Sequence, residues 1–223
     1  MTETVQDGDR AQMTDNVNIL TDPEQMSAAL GRRLTELRRG RGLSLDRLAQ
    51  ASGVSKGMLV QIEAGRSNPS IATLCRAASG LGVAVADLLE LNGAPSRVRV
   101  VPPGGGAVLW RGPGGGSARL LVGSSGPDML ELWAWELHPG ERHDSEAHTA
   151  GTTELLEVHG GTLALDVDGH IHIVPAGSAA LAATDRAHAY VCEGAETVRW
   201  TMAVHEPQAG RARVGCGKRG AAG

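Results

Sequence analysis

The feature that most limits what this chain can fold into is a change of hydrophobic period around Asn92-Gly93-Ala94-Pro95. Upstream, apolar residues recur every three to four positions: Leu30, Leu34 and Leu37 make one stripe, with Arg32, Arg33, Arg38 and Arg39 around it. Downstream they alternate, in short runs such as SARLLVG, MLELWAWELH, TELLEVHGG, TLALDVDG, HIHIVPAG, HAYVCEG and TVRWTMAVH. Side chains return to one side of a helix about every 3.6 residues and to one side of a strand every two, so no one element type serves both halves. The expected fold class is therefore α+β in separate domains, helices first and an antiparallel sandwich or barrel second.

Turn residues place the boundaries. Residues 1–22 lack apolar periodicity and read as a disordered acidic arm. Order is expected from Asp22-Pro23, an N-cap followed by proline at the first helical position. Gly40 and Gly42 stop the first helix, Ser44 caps a second that ends at Gly53, and Ser55 caps a third that closes at Gly65. Ser70 opens a fourth, with Ile71, Leu74 and Ala78 inward, and a short fifth runs through Val85, Leu88 and Leu89. Residues 23–92 thus form a five-helix domain, 93–105 a linker, 106–205 the β domain and 206–223 a flexible tail. Asp168-Gly169 between two alternating runs predicts a hairpin.

Charge and composition narrow the function classes. Residues 23–92 carry nine Lys/Arg and six acids, between two segments in which acids predominate, as suits a nucleic-acid-binding module attached to something else. With four Trp, one Tyr and no Phe, stacking on unpaired bases is a poor mechanism. Cys75, Cys192 and Cys216 have no metal-clip spacing and supply no disulfide framework. No apolar run reaches 18 residues, and the acidic first twenty residues do not read as a signal peptide. No membrane association and a cytoplasmic location are expected.

The stretch SLDRLAQASGVSKGMLVQIEAGRSNPS, residues 44–70, resembles the helix-turn-helix of the XRE family, related to phage Cro and repressor proteins. The resemblance spans residues 26–91 and implies a Cro/repressor-like DNA-binding domain. Leu48, Ala49, Val54, Leu59 and Ile62 would pack the two helices, leaving one face of the third free to enter a major groove near its N-terminus. Ser55, Lys56, Gly57, Met58 and Gln61 then meet bases, with Lys56 suited to guanine and Gln61 to adenine. Ser44, Arg66 and Asn68 fall where the family contacts the DNA backbone. The family's habit of binding paired half-sites implies a homodimer on a double-stranded operator.

Residues 140–194 resemble the cupin family, a double-stranded β-barrel marked by G-x5-H-x-H-x3,4-E-x6-G and G-x5-P-x-G-x2-H-x3-N. Gly140, Glu154-x6-Gly161 and Gly169-x5-Pro175-x-Gly177 match. The chain departs at Glu146-Ala147-His148, where the family has His-x-His; its second-motif histidine is delayed to His188, and Cys192 stands for the usual Asn. The resemblance implies a metal set of Glu146, His148, Glu154 and His188, for one Fe, Mn, Ni or Zn ion, or a triad of His148, Glu154 and His188. The competing reading is a polar pocket for a small ligand, or hydrogen bonds that only tie strands together.

Four features sit beside this set. His170 and His172 are expected to face solvent, with Ile171 and Ile173 inward; His138 and His143 are expected in a loop, His143 near the rim; and Trp133 and Trp135 share a packing face. The run AALAAT, residues 179–184, is expected to leave room for a ligand. Two functions fit the layout. One is a transcriptional regulator whose cupin senses a small-molecule effector or a metal. The other is a metal-dependent enzyme resembling phosphonate epoxidases, which asks for a Lys, Tyr and Asn cluster at the barrel mouth that this chain lacks.

Overall fold

The computed structural model describes residues 23–89, 98–124 and 128–207. Among these residues five helices come first: α1 (Pro23–Gly40), α2 (Leu45–Ser52), α3 (Lys56–Glu63), α4 (Ile71–Leu81) and α5 (Val85–Leu88). Ser44, Ser55 and Ser70 cap α2, α3 and α4, each accepting a hydrogen bond from the backbone N–H three residues on, at 3.1–3.2 Å. Gly53 ends α2 at φ 68°, a conformation in which a Cβ is strained. Leu34, Leu48, Leu59, Ile62, Leu74 and Leu88 form the helical core. Arg38 of α1 donates twice to Glu63 at the end of α3, at 2.6 and 2.8 Å, fixing that helix against the core. Where α4 crosses α2 the backbones nearly touch: a Cβ on Gly80 would lie 2.6 Å from Ser52 Cβ.

Ten strands follow: β1 (Ala107–Arg111), β2 (Ser117–Gly123), β3 (Met129–Leu137), β4 (Arg142–Ser145), β5 (Thr153–Gly160), β6 (Thr162–Val167), β7 (His170–Pro175), β8 (Ala179–Ala183), β9 (His188–Glu193) and β10 (Val198–Glu206). They form two antiparallel sheets, ordered β1-β2-β3-β10-β5-β8 and β4-β9-β6-β7. Alternation decides what points between them. Met129, Glu131, Trp133, Trp135 and Leu137 turn inward from β3, Glu154, Leu156 and Val158 from β5, and Val198, Trp200, Met202, Val204 and Glu206 from β10. This is the α+β, two-part architecture expected, an all-helical Cro/repressor-like half and an all-β cupin barrel. Among the described residues, no helix is long and apolar enough to cross a membrane.

Several expectations change. The acidic arm over residues 1–22, residues 93–97 of the linker and residues 208–223 of the tail lie outside the described residues. Glu206, expected in the tail, is buried at the end of β10. His143 lies on β4, paired with Tyr190, rather than in a loop. Ile171 and Ile173 face outward and are exposed. Asp168-Gly169 forms a two-residue turn, both residues at positive φ, so Val167 pairs with His170 and Leu165 with His172. The histidines therefore share the inward side with Leu165, and stay exposed because β7 is an edge strand. β8 is also an edge: Ala179, Leu181 and Ala183 of AALAAT face out, and none of its six residues lines a cavity described below.

Candidate functional site

The face of α3 follows from its cap and its core. Ser55 starts the helix, Leu59 and Ile62 bury one side, and the other side is left to solvent. Ser44, Ser55, Lys56, Gly57, Met58, Gln61, Arg66 and Asn68 are all exposed, and Val60 joins them. Lys56 Nζ lies 2.9 Å from a carboxylate oxygen of Asp46 on α2, an exposed pair that sequence spacing does not reveal. Such an exposed pair contributes little to stability.

At the barrel mouth, three of the four residues expected to hold a metal meet. His148 follows β4, Glu154 lies on β5 and His188 opens β9; one ligand atom from each lies within 4.8 Å of the others. His148 Nε2 and His188 Nε2 are 3.6 and 3.8 Å from Glu154 Oε1. His188 Nδ1 lies 2.8 Å from the Arg186 carbonyl, a bond that puts the proton on Nδ1 and leaves Nε2 as a lone pair. That Nε2 is buried with no hydrogen-bond partner. The Tyr190 hydroxyl donates to the second oxygen of Glu154. Two imidazoles and one carboxylate with an orphaned nitrogen fit a divalent transition metal such as Fe, Mn, Ni or Zn.

The electrostatics are those of a tightly coupled group. Burial pushes the Glu154 carboxyl up, but hydrogen bonds and charge from His148, with His188 and Tyr190, outweigh it and hold it below its usual value. Burial pushes His188 down, and it stays down despite Glu154. Burial also pushes His148 down, but its contact with Glu154 raises it overall.

Glu146 does not join this group. β4 ends at Ser145, so strand alternation no longer holds Glu146 on the side of His148; its carboxylate pairs outward with Arg76 of α4. The residue at a family ligand position is here a strap between the two halves.

Below the triad lies a small cavity with about 30 Å³ of room for water-sized molecules. Its walls include Glu131, Trp133, Trp135 and Tyr190 from the barrel, closed by Ile71 and Cys75 of α4. Burial raises Glu131 to about 7, although it accepts a 3.1 Å bond from Trp133 Nε1. Burial, with charge from His188, lowers His143 to about 4. Trp135 stacks on Trp200 at 5.3 Å and 8°, and Tyr190 lies 5.3 Å from Trp135. A second cavity, with about 130 Å³ of room, opens between the halves, among Ser52, Arg76, Ser79, His148, Thr149 and Glu206. Sequence reading missed Arg76, Cys75 and Glu206. Two signals were present: Arg76 is the lone cation of IATLCRAASGL, and Glu206 continues the inward row Trp200, Met202, Val204.

Residues 29–91 match the helix-turn-helix domain family and residues 133–204 the cupin domain family. The chain is 32% identical over 190 residues to the HTH-type transcriptional regulator SutR of Escherichia coli (strain K12), covering 83% of this chain and 99% of that protein. It belongs to the helix-turn-helix type transcriptional regulators. Among solved structures, an HTH_3 family transcriptional regulator from Vibrio cholerae matches this regulator with TM-score 0.63 and 28% identity, over 83% of this chain and 99% of that one. Hydroxypropylphosphonic acid epoxidase from S. wedmorenis also matches, at 15% identity and TM-score 0.37 over 80% and 97% of the two chains, too distant to bear on activity.

Proposed function

We propose that this regulator acts in the cytoplasm as a homodimer that reads a double-stranded operator with α3 and responds to a ligand or metal held in the cupin half. The observation that carries the reading is the free face of α3, with Ser55, Lys56, Gly57, Met58 and Gln61 exposed behind a serine cap. Lys56 and Gln61 read bases, while Ser44, Arg66 and Asn68 hold phosphates. A second copy finds an apolar surface on the outer face of the six-stranded sheet. There Leu132, Ala203, Leu155 and Leu181 stand in register across four neighbouring strands, and all three leucines are exposed.

In the cupin half, His148, Glu154 and His188 would hold the metal, and Tyr190 and the Arg186 carbonyl would orient Glu154 and His188. Bound there, the metal supplies a positive charge among buried carboxylates. A role as regulator rather than epoxidase is supported by the likeness to SutR, which spans 99% of that protein.

A gel shift on the regulator's own upstream DNA tests the reading. Lys56→Ala and Gln61→Ala are each expected to cost about 1–3 kcal/mol of discrimination against competitor DNA. Equal binding by wild type and the double variant would overturn it. Metal analysis of protein purified without chelators, compared with Glu154→Gln, tests the triad: metal is expected in the wild type and lost in the variant.

A further inference from the structure

The cleft between helices and barrel is built unlike the barrel cavity beside it. Its walls are short, with Ala51 and Ala72 from the helices and Ala147 from the barrel. Its room of about 130 Å³ corresponds to roughly four waters at liquid density. That room suits a molecule of a handful of heavy atoms. It also presents both signs of charge. Arg76 enters from α4 with its Nε buried and without a hydrogen-bond partner. Glu206 enters from β10, its carboxylate buried and accepting from Thr149 Oγ1.

We infer that this cleft is the effector site and that it takes a small amino acid or similar zwitterion, an inference that rests on the regulator reading above. The ligand's carboxylate meets the guanidinium of Arg76 and its ammonium meets Glu206. A plain amine leaves Arg76 Nε unanswered, and a plain acid leaves Glu206 facing a negative ligand.

The same geometry carries the signal. Arg76 is already held by Glu146, the strap between α4 and the segment leading to His148. A ligand carboxylate competes with Glu146 for Arg76, so occupancy loosens the strap. The cleft also touches Ala51 and Ser52, the residues just before the Gly53 turn into α3. Ser52 is the residue against which Gly80 of α4 packs. A ligand here thus bears directly on the joint between the two helices that would sit on DNA, supplying the differential contact that a population shift requires.

Calorimetric titration of the full chain with glycine, L-alanine, glycolate and methylamine tests this. One or both amino acids bind, glycolate binds about tenfold more weakly, and methylamine shows no binding. Arg76→Ala, checked for folding by circular dichroism, loses amino-acid binding at least about tenfold. Glu146→Gln, with the competitor removed, binds it severalfold more tightly. Operator affinity shifts with the amino acid in the wild type and not in Arg76→Ala. Methylamine binding as well as glycine, no binding by either amino acid, or weaker binding by Glu146→Gln would overturn the proposal. Protein that binds operator yet ignores the amino acids removes this inference alone; protein that binds them yet fails on DNA removes the regulator reading and the effector role with it, leaving only an amino-acid site in the cleft.

Discussion

The two halves of the regulator solve packing in opposite ways. The described helices, residues 23–89, contain no aromatic residue and reach density by bringing backbones together, as where Gly80 meets Ser52. The barrel holds every aromatic of the chain, Trp110, Trp133, Trp135, Tyr190 and Trp200, in contact with one another or with His143. Large rings set the barrel's dimensions, whereas thin contacts set the helices'. A body held by thin contacts is repositioned by small displacements, and a body filled by rings resists them. Under the function proposed above, that ordering would place the more easily displaced half on the DNA.

The comparison breaks first at Trp135. Trp135→Ala is expected to cost about 3–5 kcal/mol, as for other buried aromatics. Thermal unfolding followed by circular dichroism at a helical band and by near-ultraviolet signals shows whether that loss stays in the barrel. One shared transition, equally lowered, would mean that the halves unfold as one unit.

A single proton gives the next effect. Glu131 holds its proton up to about pH 7 when folded, against a usual value of 4.5, so the stability it contributes is full below 4.5 and is lost as pH rises through 7. Glu131→Gln keeps an acceptor for Trp133 and removes the charge. It is expected to stabilise the protein by roughly 3 kcal/mol at pH 8 and by almost nothing near pH 4. His143, lowered to about 4, works in the other direction, its contribution present above 6.5 and lost as pH falls through 4. The variant's melting-temperature profile should therefore keep only the acid-side fall.

The smallest effect sharpens the helical side. Gly80→Ala forces α4 from Ser52 and is expected to cost about 1–3 kcal/mol, read by denaturant unfolding. Operator binding should weaken with it. An unchanged midpoint would show that the α2–α4 crossing is looser than its 2.6 Å clearance implies.

Most of the fold was legible from the sequence because its signals are local. Caps and glycine stops set α1, α2 and α3 within two residues of where they lie, Ser70 marks the start of α4, and β2 coincides with SARLLVG. The triad His148, Glu154 and His188 was legible through the cupin resemblance. Glu146 was misassigned because alternation was carried past the end of β4, a boundary that no residue type marks. His170 and His172 are exposed as expected, but the isoleucines are not inward: the two-residue turn at Asp168-Gly169 pairs Leu165 with His172, which puts Ile171 and Ile173 on the outer face. Arg76 with Glu146, and Cys75 with the barrel cavity, meet across about seventy residues of chain, a distance that hydrophobic period cannot bridge.

The confinement of aromatics has a practical consequence. All four tryptophans lie in the cupin half, and Trp133 and Trp135 line the cavity beside His148 and Glu154. Intrinsic tryptophan emission from this protein therefore arises in the barrel alone, and Trp133 and Trp135 place part of it in the chamber that Ile71 and Cys75 of α4 close. A paramagnetic ion at the triad should quench that emission, and an effector in the cleft should alter it only by moving the barrel wall. The chain carries its own one-sided optical gauge, with no label to attach.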